Sequence, residues 1–304
     1  MKSKLFYFVI LSQLALVFFL GFKINQKRKN VLGSVEINPI NKENITFKLT
    51  GKLKYFYEPK ADTNYYLDDH EYNINKDGLR ENINYNIEKP TSTIRILTLG
   101  DSFTFGLYIK NNKIWSELLE QMLNRKYNNC VNNYEVINLG VQGYDIEYAL
   151  ERYKIKGQKY NPDLILWLHT DFKRIQEKIK SYYSVLNKNA KYNNDSLELW
   201  ALASEKNYNS ISDKDIITYQ KKLLDNYAIE AVVPTIMFVL STQEKYFPIF
   251  EKLSQENSKI YSQIIDYGED LRIPGDYHPS EYGHQVIAQD VYDYLIKNKL
   301  VPCN

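Results

Sequence analysis

The stretch that decides the fold is Ile94-Arg-Ile-Leu-Thr-Leu-Gly100-Asp-Ser-Phe-Thr-Phe-Gly106. Its first six residues are mostly apolar and β-branched, which is typical of a buried strand. The Gly-Asp-Ser that follows predicts a turn from this strand into a helix. The serine of that turn, Ser102, would place its hydroxyl at the edge of the sheet and its backbone N–H where an oxyanion could develop. The same residues also fit an ordinary Asp or Ser helix cap.

Strands and helices alternate along the rest of the chain. The predicted strands lie at 134–139, 162–168, 235–240 and 260–265, and the predicted helices at 115–123, 146–155, 219–225, 247–253 and 282–295. This alternation predicts a parallel sheet covered by helices on both faces. Ligands of such sheets bind at the carboxyl ends of the strands. The loops after Leu99, Leu139 and Leu168, and the loop before the last helix, are therefore expected to carry the functional residues.

Two of these loops contain residues with suitable chemistry. Gly140 lies in Asn138-Leu-Gly-Val-Gln-Gly143, where a small residue lets a backbone amide approach a ligand closely. Asp276 precedes His278 by two residues just before the last helix. A carboxylate at that spacing can hold the imidazole in one tautomer, which leaves the other ring nitrogen to accept a proton from serine. Each of these two patterns is common on its own. Together they indicate a functional site because both loops are expected at the same edge of the sheet as Ser102.

The three motifs together resemble those of the SGNH (GDSL) hydrolases. The resemblance covers roughly 72–295 and is weakest over 173–227. Ile74-Asn-Lys-Asp-Gly-Leu-Arg80 is also similar to the lead-in of membrane-anchored bacterial members. The family implies a three-layer α/β/α sandwich around a parallel, flavodoxin-like sheet.

The resemblance also implies a role for each motif residue. Ser102 would be the nucleophile, His278 the general base and then acid, and Asp276 the carboxylate that orients the histidine. The backbone amides of Ser102 and Gly140 would form part of the oxyanion hole. Glu269 and Asp270 are alternative carboxylates in the same loop, and they are omitted from the assigned site.

The third loop departs from the family pattern. Family members carry an oxyanion-binding Asn there in a Gly-x-Asn-Asp context, whereas this chain reads Leu168-His-Thr-Asp171. The alignment places Thr170 at the Asn position, so we expect Thr170 to supply the third oxyanion donor. A threonine hydroxyl is shorter than an Asn amide, and loss of one such donor costs about 3–4 kcal/mol of transition-state stabilisation. The adjacent His169 is an alternative donor or a structural residue.

The first thirty residues form a separate unit. Residues 5–22 carry no charge and are long enough to span a bilayer, since a span takes about 17–25 residues. No Ala-x-Ala-like cleavage site follows, so we predict an uncleaved single-pass anchor over 1–30, with a cleaved signal peptide as the alternative. Basic residues flank both sides in nearly balanced number, so charge alone does not decide the orientation, and we predict an extracytoplasmic body.

The remaining organisation follows from polarity. Residues 31–90 are predicted to be a connector and lead-in segment, and 91–300 the SGNH-type domain. Within it, 173–227 is charged and rich in Tyr and Asn, and it is predicted to be a polar insertion that forms a lid or a solvated surface.

Composition excludes several functional classes. The chain has 304 residues, 44% hydrophobic and 25% charged, which is typical of a folded protein. With 39 Lys and Arg against 37 Asp and Glu, it has no global positive field for nucleic acid. Cys130 and Cys303 are too few for a disulfide framework, and they are either paired or free thiols. The four histidines are not spaced as metal ligands, and no cofactor motif is present.

The sequence thus predicts a membrane-anchored serine hydrolase that cleaves an O-acyl ester, with an acylated glycan or lipid as substrate. Two alternatives stay open. One is O-acyl transfer to a cell-envelope glycan through the same acyl-enzyme. The other is a non-catalytic glycan-binding or assembly protein whose oxyanion hole has decayed.

Overall fold

The structure is a computed structural model that describes residues 45–46, 53–67, 70–127, 133–189 and 196–301. The predicted anchor at 5–22 and both cysteines lie outside these ranges. Within them, no helix combines the length and the apolar character that a bilayer crossing requires.

A five-stranded parallel sheet forms the centre of the fold. The described strands are β1 (Ile45–Thr46), β2 (Glu58–Pro59), β3 (Thr63–Leu67), β4 (His70–Ile74), β5 (Thr93–Leu99), β6 (Asn133–Asn138), β7 (Leu164–His169), β8 (Thr235–Leu240) and β9 (Ile260–Ile265). β1 pairs with β2 and β3 with β4, both antiparallel. The other five are parallel in the order β6-β5-β7-β8-β9, which is the flavodoxin-like 2-1-3-4-5 arrangement.

Helices cover both faces of this sheet. The described α-helices are α1 (Ser102–Phe105), α2 (Trp115–Lys126), α3 (Ile146–Arg152), α4 (Gln176–Asn189), α5 (Ser196–Ser210), α6 (Asp213–Glu230), α7 (Phe247–Glu256) and α8 (Glu281–Lys297). One core cluster contains apolar residues of α2 and α8, and the other those of α3, α6 and α7. The three-layer α/β/α architecture expected from the sequence is therefore confirmed.

The central strand β7 shows why its apolar run is uninterrupted from Leu164 to Leu168. Ile165 and Trp167 pack in the cluster on one face, while Leu166 and Leu168 pack in the cluster on the other. Because this central parallel strand is buried on both faces, apolar side chains are favoured at successive positions.

The segment 173–227 differs from a uniform polar insertion. It is largely helical, and α4 and α5 pack on each other over a small core of their own, formed by Ile179, Tyr183, Leu199, Trp200 and Ala203. The third helix, α6, contributes Ile216 and Leu224 to the main core. Polar residues of the segment are both exposed and buried, and the buried ones include Gln220 on α6.

The lead-in packs against the domain rather than extending from it. Phe56 and Tyr57 are buried, and their rings contact Tyr144 and Tyr148 at centroid distances of 5.4–5.8 Å. The residues before β5 thus cover the loop that follows β6.

Candidate active site

Ser102 lies at the turn between β5 and α1, where the sequence places it. Gly100 has a φ of +155°, and a Cβ atom there would lie 2.3 Å from Thr104 Oγ1, so the turn requires glycine. The Asp101 carboxylate accepts a hydrogen bond from the Phe103 amide at 3.0 Å and caps α1. Ser102 is the first residue of that helix and is 5% exposed. The hydroxyl is held on a short, fixed turn at the edge of the sheet.

A histidine and a carboxylate from the far end of the chain meet this serine. His278 Nε2 lies 2.8 Å from Ser102 Oγ, and His278 Nδ1 lies 2.6 Å from Asp276 Oδ1. The same carboxylate oxygen accepts the His278 backbone N–H at 2.7 Å. The structure therefore brings the three residues assigned from sequence into one hydrogen-bonded line, across 176 positions of the chain.

Aromatic rings fix the orientation of the imidazole. Phe103 lies 5.4 Å from the His278 ring, and Tyr108 meets it edge-on at 5.6 Å. These contacts restrict rotation of the ring, so both nitrogens stay aligned with their partners.

The electrostatics of the pair favour an ionised Asp276. Burial raises the pKa of the Asp276 carboxyl, but the hydrogen bonds and charge of His278 lower it by more, and the pKa stays below its ordinary value. A carboxylate in this state can stabilise a positive imidazolium.

The two further oxyanion donors predicted from the sequence are placed differently. The Gly140 N–H donates to Asn138 Oδ1 at 2.9 Å. The Thr170 hydroxyl donates to Asp101 Oδ2. The Thr170 hydroxyl and the Gly140 amide each carry a single proton, and these two hydrogen bonds already use it. Neither group is therefore directed at an oxyanion in this arrangement. Within the described residues, the Ser102 N–H donates to no other group, so it is the donor that stays available.

Gly140 has another role that its sequence context did not indicate. A Cβ atom at this position would lie 2.5 Å from the backbone nitrogen of Phe105. Glycine is needed here because the loop after β6 packs directly against the backbone of α1.

The alternative residues lie elsewhere. Glu269 and Asp270 are exposed, in a short 3-10 turn. His169 is buried between Trp167 and Phe250 at ring distances of 4.6 Å, and burial lowers its pKa to about 3. His169 is thus a neutral residue of the core.

A cavity of about 540 Å³ opens above the serine and histidine. Its walls include Ser102, His278 and Tyr277 from the predicted loops, and Arg174 and Tyr208 from the segment 173–227. Sequence reasoning missed the last two residues, because nothing distinguishes one arginine and one tyrosine in a stretch rich in both charge and tyrosine. Among the described residues, no group of three or more His, Cys, Asp or Glu is arranged to hold a metal ion.

Arg174 on this wall is bonded to the turn that carries Ser102. Its Nη1 lies 3.1 Å from Asp101 Oδ2, and its Nη2 lies 3.2 Å from Asp171 Oδ2. Tyr208 donates its hydroxyl proton to the same Asp171 oxygen. The residue next to Ser102 in sequence is therefore tied to the wall formed by the segment 173–227.

Neither a protein-family model nor a curated protein matches this chain. Solved structures do resemble it. A two-domain esterase active on acetylated mannans is 13% identical, with a TM-score of 0.45 over 69% of this chain and 50% of that chain. This chain therefore spans about half the length of that esterase. The psychrotrophic esterase EstA from Pseudoalteromonas sp. is 15% identical, with a TM-score of 0.43 over 68% of this chain and 99% of that chain. TesA is 11% identical, with a TM-score of 0.45 over 66% of this chain and 97% of that chain.

Proposed function

We propose that this chain is a serine hydrolase of the SGNH type that cleaves O-acyl esters. One observation carries the proposal: Ser102 Oγ, the His278 ring and the Asp276 carboxylate form a continuous line, with distances of 2.8 and 2.6 Å. A nucleophile within hydrogen-bond reach of a base, which a third group orients, is the arrangement that nucleophilic catalysis requires.

The geometry supports the following reaction. Ser102 Oγ attacks the acyl carbonyl while His278 Nε2 takes its proton, and Asp276 stabilises the imidazolium. The tetrahedral intermediate collapses, the alcohol leaves with the proton from His278, and an acyl-serine remains. Water, deprotonated by His278, then attacks the acyl-serine and releases the carboxylic acid, which restores the Ser102 hydroxyl.

The cavity supports the proposed substrate class. Its volume of about 540 Å³ exceeds what a short acyl group fills, so part of the alcohol moiety is also enclosed. Tyr277, which is 40% exposed on the wall, offers an aromatic ring to that moiety. An acyl ester of a glycan or a lipid is the substrate we propose.

A fluorophosphonate probe tests the assignment of the nucleophile. We expect the wild-type protein to be labelled and to hydrolyse nitrophenyl acetate, and Ser102→Ala to lose both properties while its melting temperature stays within a few degrees. Ser254→Ala is the matched control, because its hydroxyl bonds only to Glu251 and Ser262, and it should behave as wild type. Labelling that persists in Ser102→Ala would show that another residue is the nucleophile.

The acyl acceptor is tested on the same protein. We expect acetate to appear in solution at the rate at which nitrophenol is released. Acetyl groups recovered on an added oligosaccharide instead would identify transfer in place of hydrolysis.

We also propose that residues 5–22 anchor the protein in a membrane with the catalytic domain outside the cytoplasm. The support is the uncharged run at 5–22, which reaches the length of a span. Alkaline phosphatase fused after Asn304 should be active in cells. An inactive fusion would place the domain in the cytoplasm.

A further inference from the structure

The site offers few groups that could donate a hydrogen bond to the oxyanion of the proposed reaction. The tetrahedral intermediate carries a full negative charge on oxygen, and catalysis of acyl transfer depends on donors already directed at that position. The Ser102 N–H can serve, but the Gly140 N–H and the Thr170 hydroxyl donate to Asn138 and Asp101. One neutral amide is a weak site for this charge.

The negative charge of Asp101 makes an oxyanion at Ser102 still harder to stabilise. Its carboxylate is 4% exposed, and it lies next to Ser102 in the chain. One oxygen accepts from the Phe103 amide, and the other accepts from Thr170 and Arg174. A buried negative charge beside the nucleophile opposes the formation of a second one unless a positive charge lies close by.

Arg174 supplies that positive charge on the wall of the cavity. Its Nη1 and the Thr170 Oγ1 bond to the same Asp101 oxygen, so its guanidinium lies beside Thr170 at the carboxyl end of β7. The side chain is 21% exposed and lines the cavity together with Ser102 and His278.

The guanidinium also has donors to spare. It carries five N–H groups. In the part of the chain that the structure describes, Nη1 bonds to Asp101 and Nη2 lies at ion-pair distance from Asp171, so N–H groups of the guanidinium remain for a ligand. Burial lowers the pKa of Arg174, but Asp171, Tyr208 and Asp101 raise it by more, so the group stays charged.

The other cations on this wall are held away from the serine. Lys173 Nζ lies 2.7 Å from Asp213, and Lys245 Nζ lies 3.3 Å from the same carboxylate, whose side chain is 53% exposed. Within the described ranges, Arg174 is thus the cation on this cavity that is bonded to the nucleophile turn.

We propose that Arg174 is a catalytic residue that donates a hydrogen bond to the oxyanion of the tetrahedral intermediate, together with the Ser102 N–H. This inference rests on the proposed ester hydrolysis. In the free protein, the guanidinium is balanced by Asp101 and Asp171. When the substrate carbonyl becomes an oxyanion, an unused N–H of the same group stabilises the new charge.

Steady-state kinetics of Arg174→Gln on nitrophenyl acetate test the proposal. We expect kcat to fall about 10²–10³-fold, since that is the effect of removing one oxyanion donor, and KM to change less than about threefold. Lys178→Gln is the matched control. It removes a positive charge four residues further along the chain, from an exposed side chain of α4 that does not line the cavity, and its kcat should stay within threefold of wild type.

Chemical rescue separates catalysis from structural support. Millimolar guanidinium added to Arg174→Ala should raise kcat toward the wild-type value, and it should leave Lys178→Gln unchanged. Arg174→Gln also leaves Asp101 and Asp171 without their cation, so the double variant Asp171→Asn/Arg174→Gln is measured beside it, with Asp171→Asn as its reference. The loss of kcat on removing Arg174 should be the same in both backgrounds.

Two results would overturn the inference. One is a kcat for Arg174→Gln within threefold of wild type. The other is a rise in KM confined to anionic esters, which would make Arg174 a substrate-binding residue. In both cases wild-type labelling at Ser102 would leave the proposed function standing. A wild-type protein that is neither labelled nor active would remove the proposed function itself.

Discussion

At the scale of single residues, the pair Asp276 and His278 links stability to pH. Because the pKa of Asp276 in the folded protein lies below 3.8, its ordinary value, the ionised carboxylate stabilises the fold at neutral pH. The sign follows from linkage: the unfolded chain binds the proton more readily, so this contribution is present above the unfolded pKa and is lost as pH falls through the folded one.

Asp276→Asn tests that contribution and the proposed role together. We expect the difference in melting temperature between wild type and variant to be largest near pH 7 and to shrink below about pH 4. At pH 7, kcat should fall about 10²–10⁴-fold, because Asn cannot balance the imidazolium. Asp270→Asn, an exposed carboxyl in the same loop, is the control for both measurements. A larger loss of kcat in Asp270→Asn would mean that the acid is assigned to the wrong residue.

The Thr170 hydroxyl donates a hydrogen bond to the Asp101 carboxylate in this structure. We therefore expect substitution of Thr170 to lower the free energy of unfolding. Thr170→Val removes a hydrogen bond to a buried carboxylate, which is worth about 1.5–3 kcal/mol of unfolding free energy. Thr218→Val removes an exposed hydroxyl whose bond goes to a carbonyl of its own helix, and it should change that free energy by less than about 0.5 kcal/mol. Urea unfolding measures both. Equal values for the two variants would contradict the role given to Thr170.

At the scale of elements, the helix that carries the nucleophile is only four residues long and is held from outside. Arg80 is fully buried, and its guanidinium donates to the carbonyl oxygens of Phe105, Gly106 and Ile109 and to Asn111 Oδ1. It also lies 4.0 Å from the centre of the Tyr72 ring. The lead-in motif 74–80 thus fixes the end of α1, a function that the sequence pattern alone did not reveal.

Arg80→Met should therefore be strongly destabilising. Three carbonyl oxygens lose their donor in a buried place, and we expect the free energy of unfolding to fall by about 3 kcal/mol or more. Arg125→Met, an exposed position on α2, should change it by less than about 0.5 kcal/mol. Denaturant titrations of the two variants make the comparison. A loss below about 1 kcal/mol in Arg80→Met would show that α1 does not depend on this clamp.

Strands and helices were predicted from the sequence where burial of one face or of both faces produces a clear apolar pattern. Strands β8 and β9 match their predicted bounds, 235–240 and 260–265. β8 is a continuous apolar run after Thr235, whereas β9, at the edge of the sheet, is buried only at its two ends. The helix predicted at 219–225 extends over Asp213–Glu230 as α6. The ends of this helix are solvated, so the sequence there shows no clear apolar pattern that marks where the helix begins and ends. Packing of its apolar stripe against the sheet stabilises the helix over its full length.

At the scale of the whole molecule, strand order explains why distant motifs meet. β5 lies between β6 and β7, so the loops after all three strands share one edge, where the strand order changes direction. The last loop, before α8, reaches the same edge with Asp276 and His278. The alternation of strands and helices predicts this convergence. The alternation cannot predict which N–H and O–H groups remain available to an oxyanion. The hydrogen bonds of Gly140 and Thr170 depend on where Asn138 and Asp101 lie in three dimensions.

The same packing places carboxyls in the interior, and each of them makes a pH-dependent contribution to stability. Burial raises the pKa of Glu120 and of Asp145 to about 7 in each case. The native state then binds these protons more tightly than the unfolded chain, so the stabilising contribution of the group is greatest below the unfolded value, 4.5 for Glu120, and is lost as pH rises to about 7.

Unfolding by urea at pH 5, 6, 7 and 8 measures this contribution as the difference between wild type and Glu120→Gln, because the contribution of the buried, neutral His169, which has the opposite sign, is common to both proteins. We expect wild type to lose stability relative to Glu120→Gln between pH 5 and pH 7, by up to about 1.4 kcal/mol per pH unit, and the difference to level off above that range. The difference between wild type and Glu205→Gln, on the exposed side of α5, should stay constant. A difference between wild type and Glu120→Gln that is the same at all four pH values would contradict the raised pKa of Glu120.

The small separate core of α4 and α5 has a consequence for how such a protein can diversify. These two helices close on each other through their own apolar residues, and they carry or border Arg174 and Tyr208 on the cavity wall. Apolar substitutions within this small core draw little on the two clusters that cover the sheet. The shape of this cavity wall and the stability of the sheet therefore depend on different stretches of the chain, and one can change in evolution while the other is kept.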